Sequence, residues 1–293
     1  MKNLFQNFKD ENFQSVIIIG AARSGTNMLR DVLISFSNFS SWDCDEINPI
    51  WHYKNENLKT DELKLEDCNY YIKSYVQNQF LSIAQKNNDY YVVEKTCANS
   101  FRIPFVYNIM PNAKYLFVFR DGRDVVASAI KRWYSEVDWI YTFKKARYVP
   151  LRSIPFYFYD FVKKRIHQVF SGSRRLPFWG PKYDGIEEDL KKLPVHVVAA
   201  RQWKYSIRKS LKFIDENDEL DSYILKYEDF VENPEEEISR IFNFLGHSHV
   251  DNKDVSKMVY KKSVGKWHQD LSEKQKEDVL NEIDNELRIL KYF

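Results

Sequence analysis

The chain has 293 residues, which is enough for one large α/β domain, and its 44 basic and 42 acidic residues leave a net charge of +2. A charge so near zero gives no reason to expect a protein that coats nucleic acid, so any anion site must be local. The three cysteines, Cys44, Cys68 and Cys97, lie far apart without a Cys-x-x-Cys pair, which argues against a disulfide framework and a structural zinc site. The polar N-terminus and the absence of an apolar run of ~20 residues predict a cytoplasmic protein without a membrane span.

The first predicted elements form a strand–loop–helix unit. Residues 15–19 are a continuous β-branched run, which is typical of a buried parallel strand. A turn follows at 20–25. A helix is then predicted over 26–36, because its apolar residues fall on one face.

Further strands are predicted at 90–95, 114–120 and 222–227, with a helix over about 124–133. Asn233 and Pro234 predict a capped helix that Gly246 ends, and Ser272 with Gln275 predicts a capping box for the last helix. Strands that alternate with helices indicate a three-layer α/β/α fold with a mostly parallel sheet.

Residues 135–193 break this alternation with aromatic, basic and proline residues, including the run Arg-Arg-Leu-Pro-Phe-Trp-Gly-Pro at 174–181. We interpret 1–293 as a single domain in which about 135–193 are inserted over the carboxyl edge of the sheet. Ligands of α/β sheets bind at that edge.

The turn at 20–26 reads Gly-Ala-Ala-Arg-Ser-Gly-Thr and has the spacing of a phosphate-binding loop between a strand and a helix. A Walker A loop needs lysine directly after its second glycine. Here Thr26 follows Gly25 directly, and the cation, Arg23, lies inside the loop. The plainer alternative is an ordinary βα turn with a surface arginine.

Residues 22–27 resemble the 5′-phosphosulfate loop of sulfotransferases that use 3′-phosphoadenosine 5′-phosphosulfate (PAPS), whose pattern is Pro-(Arg/Lys)-Ser-Gly-Thr-Thr. Ala22 replaces the proline and Asn27 the second threonine, and neither change removes the backbone donors or the cation. The resemblance implies a P-loop NTPase-like α/β/α fold, PAPS as donor, 3′-phosphoadenosine 5′-phosphate (PAP) as product and no metal. It implies donor-binding roles for Arg23, Ser24, Gly25, Thr26 and Asn27.

Residues 118–128 are similar to the family's 3′-phosphate signature, an arginine that ends a strand and a serine eight residues later. Arg120 can present a forked pair of donors to a phosphate. Ser128 lies about two helical turns further on, so it shares that phosphate only if the helix start bends around it. The alternative pairs Arg120 with Asp121 or Asp124 and leaves Ser128 bonded to its own helix backbone.

Two later segments match the family in order. Residues 225–230 resemble its Tyr-Glu-Asp segment, which implies that Tyr227 lies beside the adenine. Residues 263–267 resemble its late glycine–basic–tryptophan loop, which closes over the nucleotide; a solvated basic run is the alternative. The matches span about 16–270, as in a bacterial-type member with some likeness to the tyrosylprotein and carbohydrate branches. The residues implied in the late loop are Lys261, Lys262, Gly265, Lys266 and Trp267.

Sulfuryl transfer needs stabilisation of the leaving phosphate and a base for the acceptor proton. Arg23 and Lys95 are the candidates for the first role, since Lys95 lies in a Glu-Lys-Thr segment that resembles one found in several sulfotransferase branches. The histidine base of the cytosolic small-molecule enzymes is replaced by Cys97, and a thiol with a pKa of about 8.5 is a poor proton acceptor. The open candidates for the base are Glu46, which we favour, then Asp45 and His52.

The implied function is transfer of a sulfuryl group from PAPS to an acceptor hydroxyl. A saccharide is the favoured acceptor, because Trp133, Tyr134, Trp139, Trp179 and several arginines suit a sugar, although aromatics more often form a core. The alternatives are sulfation of a protein tyrosine or a small phenol or alcohol, a P-loop kinase, and a non-catalytic nucleotide-binding homologue. The expected partners are the donor and the hydroxyl acceptor, with no nucleic acid.

Overall fold

One parallel sheet forms the centre of the molecule in the computed structural model. Its strands in the described part of the chain are β1 (Gln14–Gly20), β2 (Phe39–Ser40), β3 (Tyr91–Lys95), β4 (Lys114–Phe119) and β5 (Ser222–Lys226). Their spatial order is β2-β3-β1-β4-β5, and every neighbouring pair is parallel. The predicted mostly parallel sheet is therefore confirmed. The structure describes residues 13–135, 144–159, 162, 176, 178–247 and 253–293.

Both faces of the sheet are covered, which explains why its inner strands are continuously apolar. Ile17 and Ile19 of β1 belong to one hydrophobic cluster, whereas Val16 and Ile18 belong to a second. Successive side chains of a strand point to opposite faces, so the two clusters are the cores on the two sides of the sheet. This arrangement confirms the three-layer α/β/α architecture.

The helices of the described residues pack around these two cores. None of the described helices is both long and apolar enough to cross a membrane. The labelled α-helices are α1 (Thr26–Leu33), α2 (Asn48–Trp51), α3 (Tyr70–Asn87), α4 (Ile103–Ile109), α5 (Gly122–Trp133), α6 (Ile186–Lys192), α7 (Val195–Asp215), α8 (Tyr227–Glu232), α9 (Pro234–Leu245), α10 (Trp267–Asp270) and α11 (Glu273–Ile289), and residues 154–159 are also helical.

Most predicted elements are present, with small shifts at their ends. Helix α1 ends three residues before the predicted position, and α5 begins two residues early because the Asp121 side chain accepts a hydrogen bond from the Arg123 N–H. The capping box of Ser272 is confirmed. The predicted cap at Asn233 is wrong, since that side chain makes no capping hydrogen bond, although Gly246 ends α9 as predicted.

Parts of the fold were not predicted. The short edge strand β2 and the long helix α7 did not emerge from the sequence patterns. Much of the predicted insertion, including Trp139, Arg174 and Arg175, lies outside the described residues. The described parts of 135–193 flank the carboxyl edge of the sheet, and the site lies there.

Candidate active site

The carboxyl ends of β1, β3, β4 and β5 border a cavity of about 880 Å³. This is the edge at which open α/β sheets bind ligands, because the loops after neighbouring parallel strands meet there. Of the residues predicted for the site, Arg23, Gly25, Thr26, Asn27, Glu46, Lys95, Arg120, Ser128, Tyr227 and Lys266 line the cavity, whereas Ser24, Lys262, Gly265 and Trp267 do not.

The loop between β1 and α1 has an unusual backbone. Arg23 and Gly25 both have positive φ angles, of 75° and 87°. Glycine tolerates this conformation, but at Arg23 it costs ~1–2 kcal/mol, a strain that functional sites often contain. A Cβ atom at residue 25 would lie 2.3 Å from the Tyr227 ring. Glycine at this position therefore lets the first loop pack directly against the start of α8.

Arg23 and Arg120 connect the first loop to α5. The Arg23 Nε donates a hydrogen bond to the Ser128 Oγ at 2.9 Å. Arg120 donates to the carbonyl oxygens of Arg23 at 2.8 Å and Ser263 at 2.6 Å, and its guanidinium lies 4.2 Å from the centre of the Tyr227 ring. The predicted 5′-side and 3′-side residues therefore form one continuous surface, and Arg120 pairs with neither Asp121 nor Asp124.

This end of the cavity carries unbalanced positive charge. Among the described residues, no ion pair involves Arg23, Arg120, Arg132 or Lys266. Burial, together with repulsion from Arg120 and Arg132, lowers the pKa of the Arg23 guanidinium. A bound anion would relieve both effects, so the charges of this end fit a ligand with several negative groups. We call this end, lined by Arg23, Arg120, Ser128, Arg132 and Lys266, the basic end.

Another part of the cavity lining contains an ion pair. Lys95, the last residue of β3, places its Nζ 3.1 Å from the Glu46 Oε1, and the Lys145 Nζ lies 3.7 Å from the Oε2. Loss of solvation would raise the pKa of Glu46, but the two ammonium groups and a hydrogen bond with the Cys97 side chain outweigh it and lower that pKa to about 2. Glu46 is therefore an ionised carboxylate at neutral pH.

A buried hydroxyl holds Glu46 against β3. The Thr96 Oγ1 accepts a hydrogen bond from the Ile47 N–H at 3.1 Å and donates one to the Glu94 carboxylate at 2.5 Å. The loop that carries Glu46 is thus attached to the end of β3, 49 residues further along the chain. This link brings Glu46 to Lys95.

Cys97 occupies the position at which the resemblance to the cytosolic small-molecule sulfotransferases predicts a histidine. Its Sγ lies 3.7 Å from the Thr26 Oγ1 and 3.9 Å from the Lys95 Nζ. Burial raises the pKa of the thiol to about 11. Cys97 is therefore a neutral thiol at neutral pH and does not replace the missing histidine as a base.

The other two candidates for the base have their polar atoms engaged. Asp45 accepts hydrogen bonds from Asn27 at 2.9 Å and Arg30 at 3.0 Å, one on each oxygen. The ring nitrogens of His52 lie 2.9 Å from Asp61 and 3.4 Å from the Asn55 carbonyl oxygen, and His52 does not line the cavity. The geometry thus favours Glu46 over both.

An aromatic turn forms one wall of the cavity beyond Glu46. The Gln202 Nε2 donates to the carbonyl oxygens of Trp179 at 3.1 Å and Pro181 at 2.9 Å, which fixes the turn from Phe178 to Pro181. Trp133, expected as a possible sugar-binding residue, is instead fully buried behind Trp179. Its role is therefore to pack the wall from behind.

The sequence patterns missed Asp124, which holds the late loop. Its carboxylate oxygens accept hydrogen bonds from the backbone N–H groups of Gly265 at 2.7 Å and Trp267 at 2.9 Å. Asp124, Ser128 and Arg132 lie four residues apart on α5 and all line the cavity. That helical spacing was the available signal, because residues i, i+4 and i+8 share one face.

Replacing Asp124 with asparagine should loosen the late loop. The amide retains one acceptor and places an NH₂ group against a backbone donor, so at least one charge-assisted hydrogen bond is lost. We expect about 10-fold weaker PAP binding, or about 1.4 kcal/mol, and faster tryptic cleavage near Lys262 and Lys266. Asp284→Asn, at a half-exposed site on α11 where Asp284 pairs with Arg288, is the control. Unchanged PAP affinity and cleavage in Asp124→Asn would contradict the proposed role.

Comparisons with known proteins bear on the family and the fold. Residues 15–152 match the sequence model of the sulfotransferase family. The solved structures with a similar fold include a sulfotransferase of Mycobacterium avium, with 12% identity over 95% of this chain and 77% of that chain and a TM-score of 0.53. The sulfotransferase domain from the olefin synthase of Synechococcus PCC 7002 has 13% identity over 93% of this chain and 94% of that chain, with a TM-score of 0.52. The sulfotransferase domain from the curacin biosynthetic pathway has 13% identity over 93% of this chain and 98% of that chain, with a TM-score of 0.50. No curated protein sequence matches the chain.

Proposed function

We propose that the chain transfers a sulfuryl group from PAPS to the hydroxyl of an acceptor, because residues 15–152 match the sequence model of the sulfotransferase family. The single observation that carries the choice of donor is the basic end of the cavity. Its arginine and lysine side chains have no carboxylate partner within the described residues. A nucleotide with a phosphate at each end of its adenosine supplies the missing negative charge.

The donor would extend from the basic end towards Lys95. In this arrangement Arg120 and Ser128 hold the 3′-phosphate, Tyr227 contacts the adenine, and the backbone N–H groups at the start of α1 face the 5′-phosphosulfate. Arg23 lies between the two anionic groups, because it belongs to the first loop and bonds to Ser128.

Lys95 and Glu46 would perform the transfer. The acceptor oxygen attacks the sulfur, the bond between the sulfur and the bridging oxygen breaks, and the 5′-phosphate leaves. Glu46 takes the proton from the acceptor hydroxyl, and the Lys95 ammonium stabilises the charge that develops on the bridging oxygen. The ion pair of Lys95 and Glu46 places both groups at the same point of the cavity.

We propose a saccharide hydroxyl as the acceptor. Trp179 lines the cavity in the aromatic turn, and Asp61, which also lines it, accepts a hydrogen bond from the Lys182 N–H. An aromatic ring stacks on the apolar face of a sugar, and this supports a saccharide. The Asn48 and Asp61 oxygens already accept hydrogen bonds within the protein, so the support comes from the aromatic ring. A protein tyrosine or a small phenol is the alternative acceptor that would contact the same ring.

Thermal shift measurements test the choice of donor. PAP should stabilise the protein without Mg²⁺, and ATP should stabilise it much less with or without Mg²⁺. Arg120→Lys keeps the positive charge but loses the forked pair of N–H donors of the guanidinium, so it should weaken PAP binding by about 10-fold or more. Arg240→Lys, at an exposed arginine of α9, is the matched control. Stabilisation by Mg–ATP alone would identify a kinase-like site and contradict the proposal.

A transfer assay separates an enzyme from a binding protein. Labelled PAPS is incubated with glycans, tyrosine peptides and phenols, and the transfer of label is measured for each. We expect transfer to a glycan. Tight PAP binding with no transfer to any member of the panel would favour a non-catalytic homologue instead.

A further inference from the structure

The segment 144–159, which we call the docking segment, has an unusual composition and surface. Its basic residues are Lys144, Lys145, Arg147 and Arg152, and it has no acidic residue, although the whole chain carries a net charge of only +2. Three of these four side chains are exposed, the exception being Lys145. The segment therefore presents a local excess of positive charge on its surface.

The docking segment also exposes large apolar side chains. Leu151 is 86% exposed, Phe158 67% and Tyr159 68%, and Ile154 and Phe156 are exposed as well. Residues 154–159 are helical. Apolar side chains concentrated in so short a stretch normally mark a contact surface, whereas single exposed ones need no explanation.

Polar contacts attach the other side of the segment to the body of the protein. The Ser153 hydroxyl donates a hydrogen bond to the Glu56 carboxylate, and the Asp43 N–H donates to the Tyr148 hydroxyl at 3.2 Å. The Arg152 guanidinium lies 5.6 Å from the centre of the Tyr53 ring. These contacts keep the segment on the protein while its apolar side chains face outwards.

We propose that the docking segment binds the surface of an anionic lipid bilayer. The exposed leucine, isoleucine and aromatic side chains would enter the boundary between headgroups and acyl chains, and the basic side chains would face the lipid phosphates. A nucleic acid or an acidic polysaccharide would match the charge, but neither would bury Leu151 and Ile154. The combination of charge with aliphatic exposure therefore favours a bilayer.

Docking would orient the cavity. Lys145 belongs to the segment and contacts Glu46, so the segment borders the end of the cavity at which we place the acceptor. A protein held in this way would present that end close to the bilayer surface. The proposal concerns binding and does not depend on the identity of the donor or the acceptor.

Co-sedimentation of the full chain with vesicles tests the proposal. We expect the chain to bind mixed vesicles of phosphatidylglycerol and phosphatidylcholine at least about 10-fold more tightly than vesicles of phosphatidylcholine alone. We expect binding to the mixed vesicles to weaken at high salt. Leu151→Ser with Phe158→Ser should reduce binding by removing the apolar contacts. Lys144→Glu with Arg147→Glu should reduce it by reversing charge. All four side chains are exposed, so the variants should fold, which the unfolding temperature verifies.

Matched controls lie elsewhere on the surface. Ile289→Ser removes an exposed apolar side chain of α11, and Lys257→Glu reverses an exposed charge. Both controls should bind vesicles as the unaltered chain does. The proposal is overturned if no vesicle is bound, if pure phosphatidylcholine is bound equally well, or if the docking-segment variants bind as the controls do. It is also overturned if heparin or duplex DNA is bound while anionic vesicles are not.

Discussion

Replacing Lys95 with methionine should lower turnover by ~10²-fold or more, which corresponds to about 2.7 kcal/mol of transition-state stabilisation. The lost interaction would be that of the Lys95 ammonium with the leaving oxygen, the role proposed above. Methionine fills similar space, and Glu46 keeps its contacts with Lys145 and the Cys97 N–H, so no buried carboxylate is left without a partner. Single-turnover measurements at saturating donor would report the loss directly.

Lys145→Met is the informative comparison for this variant. Lys145 contacts the other oxygen of Glu46 at 3.7 Å, but its side chain is 29% exposed, whereas that of Lys95 is 2% exposed. A charge that is more exposed to water is more strongly screened, so we expect less than a tenth of the effect seen at Lys95. Equal losses in the two variants would show that Lys95 has no special role in the transfer.

Replacing Glu46 with glutamine should reduce turnover by ~10²–10⁴-fold, because the amide cannot accept the acceptor proton. PAP affinity should change little, since Glu46 lies outside the basic end. The variant also loses the ion pair between Glu46 and Lys95, and this structural effect is separate from the loss of the base. Normal turnover in Glu46→Gln would show that Glu46 is not the base. Asp45 would then be the next candidate, and the Asp45→Asn variant serves as the comparison.

The pH dependence gives a second measurement on Glu46. Its pKa of about 2 lies below the ordinary value of 4.5, so the ion pair stabilises the fold fully above about pH 4.5 and loses that contribution as the pH falls towards 2. The unaltered chain should therefore lose more stability than Glu46→Gln between pH 5 and pH 2, a range that follows from this lowered pKa. Acid unfolding curves of the two proteins provide the comparison.

Donor binding should change the same pKa. If the donor attracts the Lys95 ammonium, Glu46 loses part of the interaction that lowers its pKa. The acid limb of kcat, which reports the bound enzyme, should then lie at higher pH than the acid limb of kcat/KM, which reports the free enzyme. Coincident limbs would show that Lys95 keeps its contact with Glu46 throughout the reaction.

The parts of the fold that the sequence predicted well are those set by local pattern. The buried strands are continuous apolar runs, and the loop at 20–25 follows the first of them directly, so β1, β4 and their following helices were predictable to within a few residues. The cap at Asn233 failed because a residue suited to capping does not adopt the capping geometry when its backbone lies elsewhere, at φ −129° and ψ 63°. The residue type determines whether a side chain can cap a helix, but it does not determine the backbone conformation that capping requires.

The site was less predictable where it depends on distant contacts. Arg120 and Ser128 lie on consecutive elements, so the likeness to a known family located both. The partners of Asp124 are 141 and 143 residues away, and no local pattern announces them. The contact between Arg23 and Ser128, 105 residues apart, likewise requires the sheet order that places β4 beside β1.

The bond from Arg23 to Ser128 makes the two halves of the basic end depend on each other. A ligand with a single anionic group, such as sulfate or adenosine 5′-phosphate, would engage one half and leave the guanidinium tied to the serine. A bisphosphate would contact both halves at once. Movement of the Arg23 side chain away from Ser128 would then allow two anionic contacts, one in each half, instead of one. The cavity should consequently discriminate among nucleotides by the separation of their charged ends more strongly than by the chemistry of their bases.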